Sequence, residues 1–178
     1  MAFLSDKELV EELQSGSRRA FAEMYERLKE PVFAYCLRML GDRPSAEDAA
    51  HDAFFKAFEA IHTLDEPRAF RAWLYRIVRN EVFSQLRRKR TVPLNDDVDV
   101  WDEDNPHLQL VARERAETLQ LLLGRLKPEF REALVLREYD GLSYEEICCV
   151  TGDSLAAIKS RIFKARKALA TKLKSYYS

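Results

Sequence analysis

Apolar residues recur three and four positions apart along nearly the whole chain, and the period-two alternation of half-buried strands is missing. The spacing predicts helices near 5–15, 18–40, 45–62, 67–90, 109–125, 128–140, 143–151 and 154–175, hence an all-α fold. Ser5 with Glu8 and Ser143 with Glu146 have capping-box spacing, and Ser45 with Asp48 is its Asp variant. Five glycines occur, Gly16, Gly41, Gly124, Gly141 and Gly152, each where a helix should stop or turn. Pro31, inside the second run, either starts or kinks a helix there.

Between the fourth and fifth helical runs the pattern breaks. Residues 91–108 hold two prolines and six acids with no sustained apolar period, so an acidic, extended linker is expected. It divides the chain into a helical domain over 1–90 and a second small one over 109–178, the latter a helix-turn-helix.

Composition narrows the function classes. With 178 residues, 47% hydrophobic and 33% charged, the chain suits a soluble globular protein, and no apolar run approaches the ~20 residues of a membrane span. Nothing at the N-terminus resembles a secretion signal. The three cysteines, Cys36, Cys148 and Cys149, form no CxxC pair, which argues against a disulfide framework or a closed zinc site. A cytoplasmic setting is expected, with Cys148 and Cys149 read as small buried hydrophobes rather than a redox pair. His51, His62 and His107 share no ligand spacing; no metal and no cofactor is implied.

The net charge of -1 conceals segregation along the chain. Arg71, Arg76, Arg79, Arg87, Arg88, Lys89 and Arg90 face a single acid, Glu81, in their segment. The linker inverts the sign with Asp96, Asp97, Asp99, Asp102, Glu103 and Asp104. From Ser154 onward the charged residues are Lys159, Arg161, Lys164, Arg166, Lys167, Lys172 and Lys174, all basic. A stripe of Leu155, Ile158, Ile162, Ala165, Leu169 and Leu173 leaves these cations to face outward, where they would meet phosphate.

Three constellations carry the chemistry. In residues 141–169, Ser143 caps a short helix, Gly152 permits a left-handed turn, and Asp153 or Ser154 caps a second helix that can enter a major groove. In residues 66–90, Phe70, Trp73, Leu74, Ile77, Val78 and Leu86 supply a buried stripe, while cations interleave with aromatics in a manner suited to single-stranded nucleic acid. For Trp73 taken alone, the core reading is favoured. In residues 45–61, Ala50, Phe54, Ala57 and Ile61 form a core stripe, and Asp48, Asp52, Phe55 and Glu59 share another face, acidic with a phenyl ring, that suggests a protein interface.

The ordered segments AEDAAHDAFFKAF, AFRAWLYRIVRNE with RRKR, LKPEFREALVLREYDGLSYEEI and AAIKSRIFKARKAL closely resemble the extracytoplasmic-function (ECF) group of bacterial RNA polymerase sigma factors. The resemblance implies that Asp48, His51, Asp52 and Phe55 bind the clamp helices of core RNA polymerase. It implies that Asp65, Glu66, Pro67 and Arg68 line a loop holding an extruded minus-10 base, with Trp73, Arg76, Arg79 and Asn80 behind it and Arg87 and Arg88 along the strand. Minus-35 duplex contacts fall to Ser154, Ala156, Ala157, Lys159, Ser160, Arg161, Lys164 and Arg166. The linker would thread near the polymerase cleft, with Trp101 as its anchor, and an anti-sigma factor is the expected regulatory partner. Ser84 stands where the group commonly has Asp, Ala157 where it has Thr, and Cys148 with Cys149 where Ala and a polar residue are usual; the first two departures bear on promoter preference rather than on family.

The resulting expectation is a promoter-specificity subunit without a catalytic centre. A helix-turn-helix regulator acting without polymerase is the alternative, and it would leave the basic aromatic helix and the acidic linker unexplained. An enzyme lacks a nucleophile or phosphate loop here.

Overall fold

The computed structural model describes residues 4–89, Trp101 and 115–177. Among them lie eight α-helices: α1 (Asp6–Gln14), α2 (Arg18–Leu40), α3 (Arg43–Ala60), α4 (Phe70–Lys89), α5 (Arg115–Arg125), α6 (Pro128–Glu138), α7 (Tyr144–Thr151) and α8 (Leu155–Tyr177). Single 3₁₀ turns at Ile61–Thr63 and Pro67–Ala69 join α3 to α4. Arg90, the linker apart from Trp101, and the expected start of the fifth helix at 109–114 lie outside the described residues.

Local chemistry sets the helix ends. Both Glu-type capping boxes form, Ser5 with Glu8 and Ser143 with Glu146, each satisfying two otherwise orphaned N–H groups. The Asp variant at Ser45 does not cap its helix. Asp42 does so instead, its Oδ1 accepting from Ser45 N at 2.9 Å, because Pro44 fits the first turn, where a missing N–H costs nothing. Pro31 neither starts nor breaks α2, which runs through it. Gly124 lies inside α5 rather than after it, whereas Gly152 takes φ 80° and ends α7 in the left-handed region that a Cβ disfavours.

The first four helices pack as α2 on α3, α3 on α4 and α2 on α4, with α1 across α2. In the other half α6, α7 and α5 all pack on α8. The halves also meet: α4 lies against α7, and α2 against α5 and α6, so one contiguous set of buried side chains runs from Leu9 to Leu169. Among the described residues, no helix is long and apolar enough to cross a membrane.

Candidate nucleic-acid interface

The α3 stripe packs inward as its spacing requires, with Ala50, Phe54, Ala57 and Ile61 buried. Asp48, His51, Asp52 and Glu59 are then turned to solvent, and Phe55 among them is 58% exposed. Phe58, one turn from Phe54 on the same helix, is also exposed, its ring edge-on to Phe21 of α2 at 4.9 Å. An apolar ring ringed by carboxylates has no intramolecular reason to stay wet.

The loop before α4 is held from below. Gln14 of α1 donates to the Ile61 and Leu64 carbonyls at 3.2 and 2.8 Å, and the Glu66 carboxylate accepts from Arg68 N to open the Pro67 turn. These bonds leave the side chains of Asp65, Glu66 and Arg68 exposed and Pro67 half-buried. Along α4, Arg76, Asn80, Arg87 and Arg88 are exposed; the first three, at intervals of four and seven, share one helical face, and Arg88 lies about 100° around the helix from Arg87. Trp73 is buried and stacks on Phe70 at 6.1 Å, so the core reading of that residue is the structural one. Arg79 differs from its exposed neighbours: its Nε lies 2.7 Å from Glu132 Oε1 of α6, and its guanidinium covers the Phe83 ring at 4.4 Å.

Helix α8 emerges from a braced turn. Ser154, not Asp153, caps it, the hydroxyl accepting from Ala157 N at 3.2 Å, while the Asp153 carboxylate accepts two hydrogen bonds from Arg161. Ile158, Ile162, Ala165 and Leu169 are buried as the stripe demands, but Leu155 at its start is 41% exposed. Ser154, Ala156, Lys159, Ser160, Lys164 and Arg166 face solvent, with Ala157 and Arg161 half-buried. The one-signed helix is therefore less cationic in space than in sequence, since Arg161 pairs with Asp153 and Arg166 with Glu138 of α6. Phe163 is 67% exposed on this helix, a feature the sequence reading missed; its position off the apolar stripe was the available signal.

Trp101 is half-buried, bridged antiparallel to Leu126, with the Lys172 ammonium 5.8 Å from its ring. The cysteines do not behave as expected of buried hydrophobes throughout. Cys36 is buried, which pushes its thiol up to about 12, but Cys148 is half-buried and Cys149 exposed.

Four residues absent from the expected site join the two halves. Tyr35 of α2 and Tyr75 of α4 meet edge-on at 5.7 Å. The Tyr35 hydroxyl donates to Glu132 at 3.2 Å and the Tyr75 hydroxyl to Asp140 at 2.9 Å. Burial raises Glu132 to about 7, against the opposing pull of Arg79 and Tyr35, and raises Asp140 to about 6 against Tyr75, Arg38 and Arg71. Asp153 adds to the rise at Glu132, and the thiol of Cys36 feels Asp140. A carboxylate whose value is raised by packing binds its proton more tightly packed than solvated, so its contribution is full below the ordinary carboxylate range and lost as pH rises through about 6 to 7. The contact between halves should therefore tighten on acidification. X-ray scattering from pH 8 to pH 5.5 should show a shrinking radius of gyration; growth over that range would reverse the sign.

Comparison with known proteins follows the same division into halves. Residues 24–92 match the Sigma-70 region 2 family and residues 116–169 the Sigma-70 region 4 family. The chain is 32% identical over 176 residues to the RNA polymerase sigma-H factor of Pseudomonas aeruginosa, covering 92% of this chain and 91% of that protein. It is 32% identical over 184 residues to the ECF RNA polymerase sigma-E factor of Escherichia coli, covering 96% and 95%. In three dimensions it is similar to CnrH in complex with the cytosolic domain of CnrY, with a TM-score of 0.71 at 30% identity over 96% of this chain and 97% of the other. It is also similar to RpoE in complex with the anti-sigma factor NepR from Bartonella quintana, with a TM-score of 0.69 at 25% identity over 86% and 96%. Regions 2 and 4 in order, with likeness to sigma-E and sigma-H over nearly the full length, make this chain a member of the ECF group of RNA polymerase sigma factors, promoter-recognising initiation factors that are not enzymes.

Proposed function

We propose that this sigma factor divides promoter recognition among three helices. Asp48, His51, Asp52 and Phe55 of α3 dock on core RNA polymerase. The loop Asp65–Arg68 with Arg76, Asn80, Arg87 and Arg88 of α4, and Arg79 when released from Glu132, captures the separated minus-10 strand, with Trp73 as the packed support beneath. Ser154, Ala156, Ala157, Lys159, Ser160, Arg161, Lys164 and Arg166 of α8 meet the minus-35 duplex, Arg161 bracing the turn through Asp153 as well. In this reading the domains are 1–90 and 109–178, with 91–108 as the linker between them. The protein works in the cytoplasm, and a cognate anti-sigma factor is a fitting partner, as NepR is for its similar RpoE.

The observation that carries this reading is that exposed charge is sorted by helix, acidic around a bare phenyl ring on α3 and basic on α4 and α8. Anions suit a protein partner's basic surface, and cations suit phosphate. Mixed with core polymerase, the chain should direct initiation at a small set of promoters, while alone it should bind duplex DNA weakly. A tight, sequence-specific footprint without polymerase would support the regulator reading instead.

A further inference from the structure

The contact between the halves takes a residue away from the strand-capturing helix. Arg79 has Arg76 and Asn80 as exposed neighbours on α4, yet its guanidinium is turned to the Glu132 carboxylate, which is 1% exposed. The Glu132 partners, Tyr35 and Arg79, both come from the N-terminal half. Asp140 is held the same way: Tyr75 donates to its carboxylate and Arg71 to its backbone carbonyl. Arg38 lies 4.0 Å over the Tyr139 ring alongside. Two carboxylates of one half are thus met by two tyrosines and Arg79 of the other, with Arg71 holding the Asp140 backbone carbonyl beside them.

This contact has the marks of one that opens. Glu132 Oε2 and Asp140 Oδ2 are buried with no hydrogen-bond partner among the described residues, so separation returns them to solvent that the packed state denies them. A buried ion pair repays its desolvation poorly unless every lone pair is satisfied. Meanwhile Asp48, Asp52 and Phe55 of α3 and Lys159 and Lys164 of α8 remain exposed in the packed state.

We infer that Glu132 and Asp140 form an internal clamp that closes the chain on itself and withholds Arg79 from single-stranded DNA, so that the closed protein can dock on polymerase but must open before it captures the minus-10 strand. The inference rests on the strand-capturing role proposed for α4. Glu132 acts in it as a competitor for Arg79: a carboxylate occupies the guanidinium that a phosphate would otherwise take. Opening then raises apparent affinity for the strand by the factor through which the competent population grows.

Small-angle X-ray scattering on the full chain reads the clamp without reference to DNA. At pH 5.5 the wild type should give a radius of gyration of about 16 Å, the value for one packed body of this length. Glu132→Arg, which sets two cations face to face, should expand it measurably above that value, and adding Arg79→Glu to that variant should restore compaction. Because Glu132→Arg introduces charge and could also unfold α6, the doubly conservative Tyr35→Phe with Tyr75→Phe removes both hydroxyl donors without adding either charge or bulk. It should expand the chain and bind a short fluorescent oligothymidine about fivefold more tightly, as the open fraction rises. Expansion without tighter capture would overturn the role of α4 in holding single strands while upholding the clamp. An unchanged radius in both helical, folded variants would overturn the clamp itself.

Discussion

Phe55→Ala should lower affinity for core RNA polymerase by about 30-fold or more, the consequence of losing roughly 2 kcal/mol at an aromatic anchor, and should leave the melting temperature nearly unchanged. The ring is 58% exposed and has little packing to lose. Its neighbour Phe54 is 4% exposed and meets Tyr25 edge-on at 5.1 Å, so Phe54→Ala should do the reverse. That change leaves a cavity between α2 and α3 and should destabilise the fold by about 3–5 kcal/mol. Adjacent phenylalanines on one helix thus separate docking from folding, by fluorescence anisotropy with labelled core enzyme and by thermal unfolding. Phe55→Ala binding polymerase like the wild type would move the docking face away from α3.

Asn80→Ala should slow open-complex formation about tenfold, a loss of near 1.4 kcal/mol, while closed-complex affinity changes little. Lys164→Ala should show the opposite pattern, weakening closed-complex binding and lowering the salt slope by about one, since it removes a phosphate contact on the duplex. The difference follows from where the side chains stand. Asn80 is an exposed amide on the α4 face with Arg76, able to accept and donate toward an unpaired base, whereas Lys164 is an exposed ammonium on the reading helix. Trp73→Ala is a poorer probe of the same step because the ring is only 8% exposed and stacked on Phe70, so its removal disturbs packing first. Permanganate reactivity of the melted strand, followed in time, distinguishes the two variants. Equal effects of both on closed-complex binding alone would remove α4 from strand capture.

Most of the helical scaffold was legible because its determinants are local. Apolar spacing, Ser143 with Glu146, and Gly152 each act within a turn or two of chain, and the helices formed where those signals lay. The Ser45 cap was misread for the same reason: two local signals competed, and Asp42 with Pro44 starts the helix earlier. Leu155 belongs to the stripe by spacing but sits at the helix start, where the packed surface has not yet begun. The acidic face of α3 and the cations of α4 and α8 were legible as patterns, but not which cations already have partners. Glu132 reaches Tyr35 across 97 positions of sequence and Tyr75 reaches Asp140 across 65, and no periodicity encodes such meetings. Tyr35 and Tyr75 carry no signal of that role within their own helices; the fold puts a carboxylate opposite each.

Mapping the 5′ ends of RNA made from bacterial genomic DNA by core polymerase, with and without the purified chain, tests the assignment of this protein most directly. New 5′ ends should appear at a limited set of sites sharing one minus-35 and one minus-10 element at fixed spacing, and Phe55→Ala should remove them together. The same pattern of 5′ ends with and without the chain, under conditions where it binds the polymerase, would contradict the account.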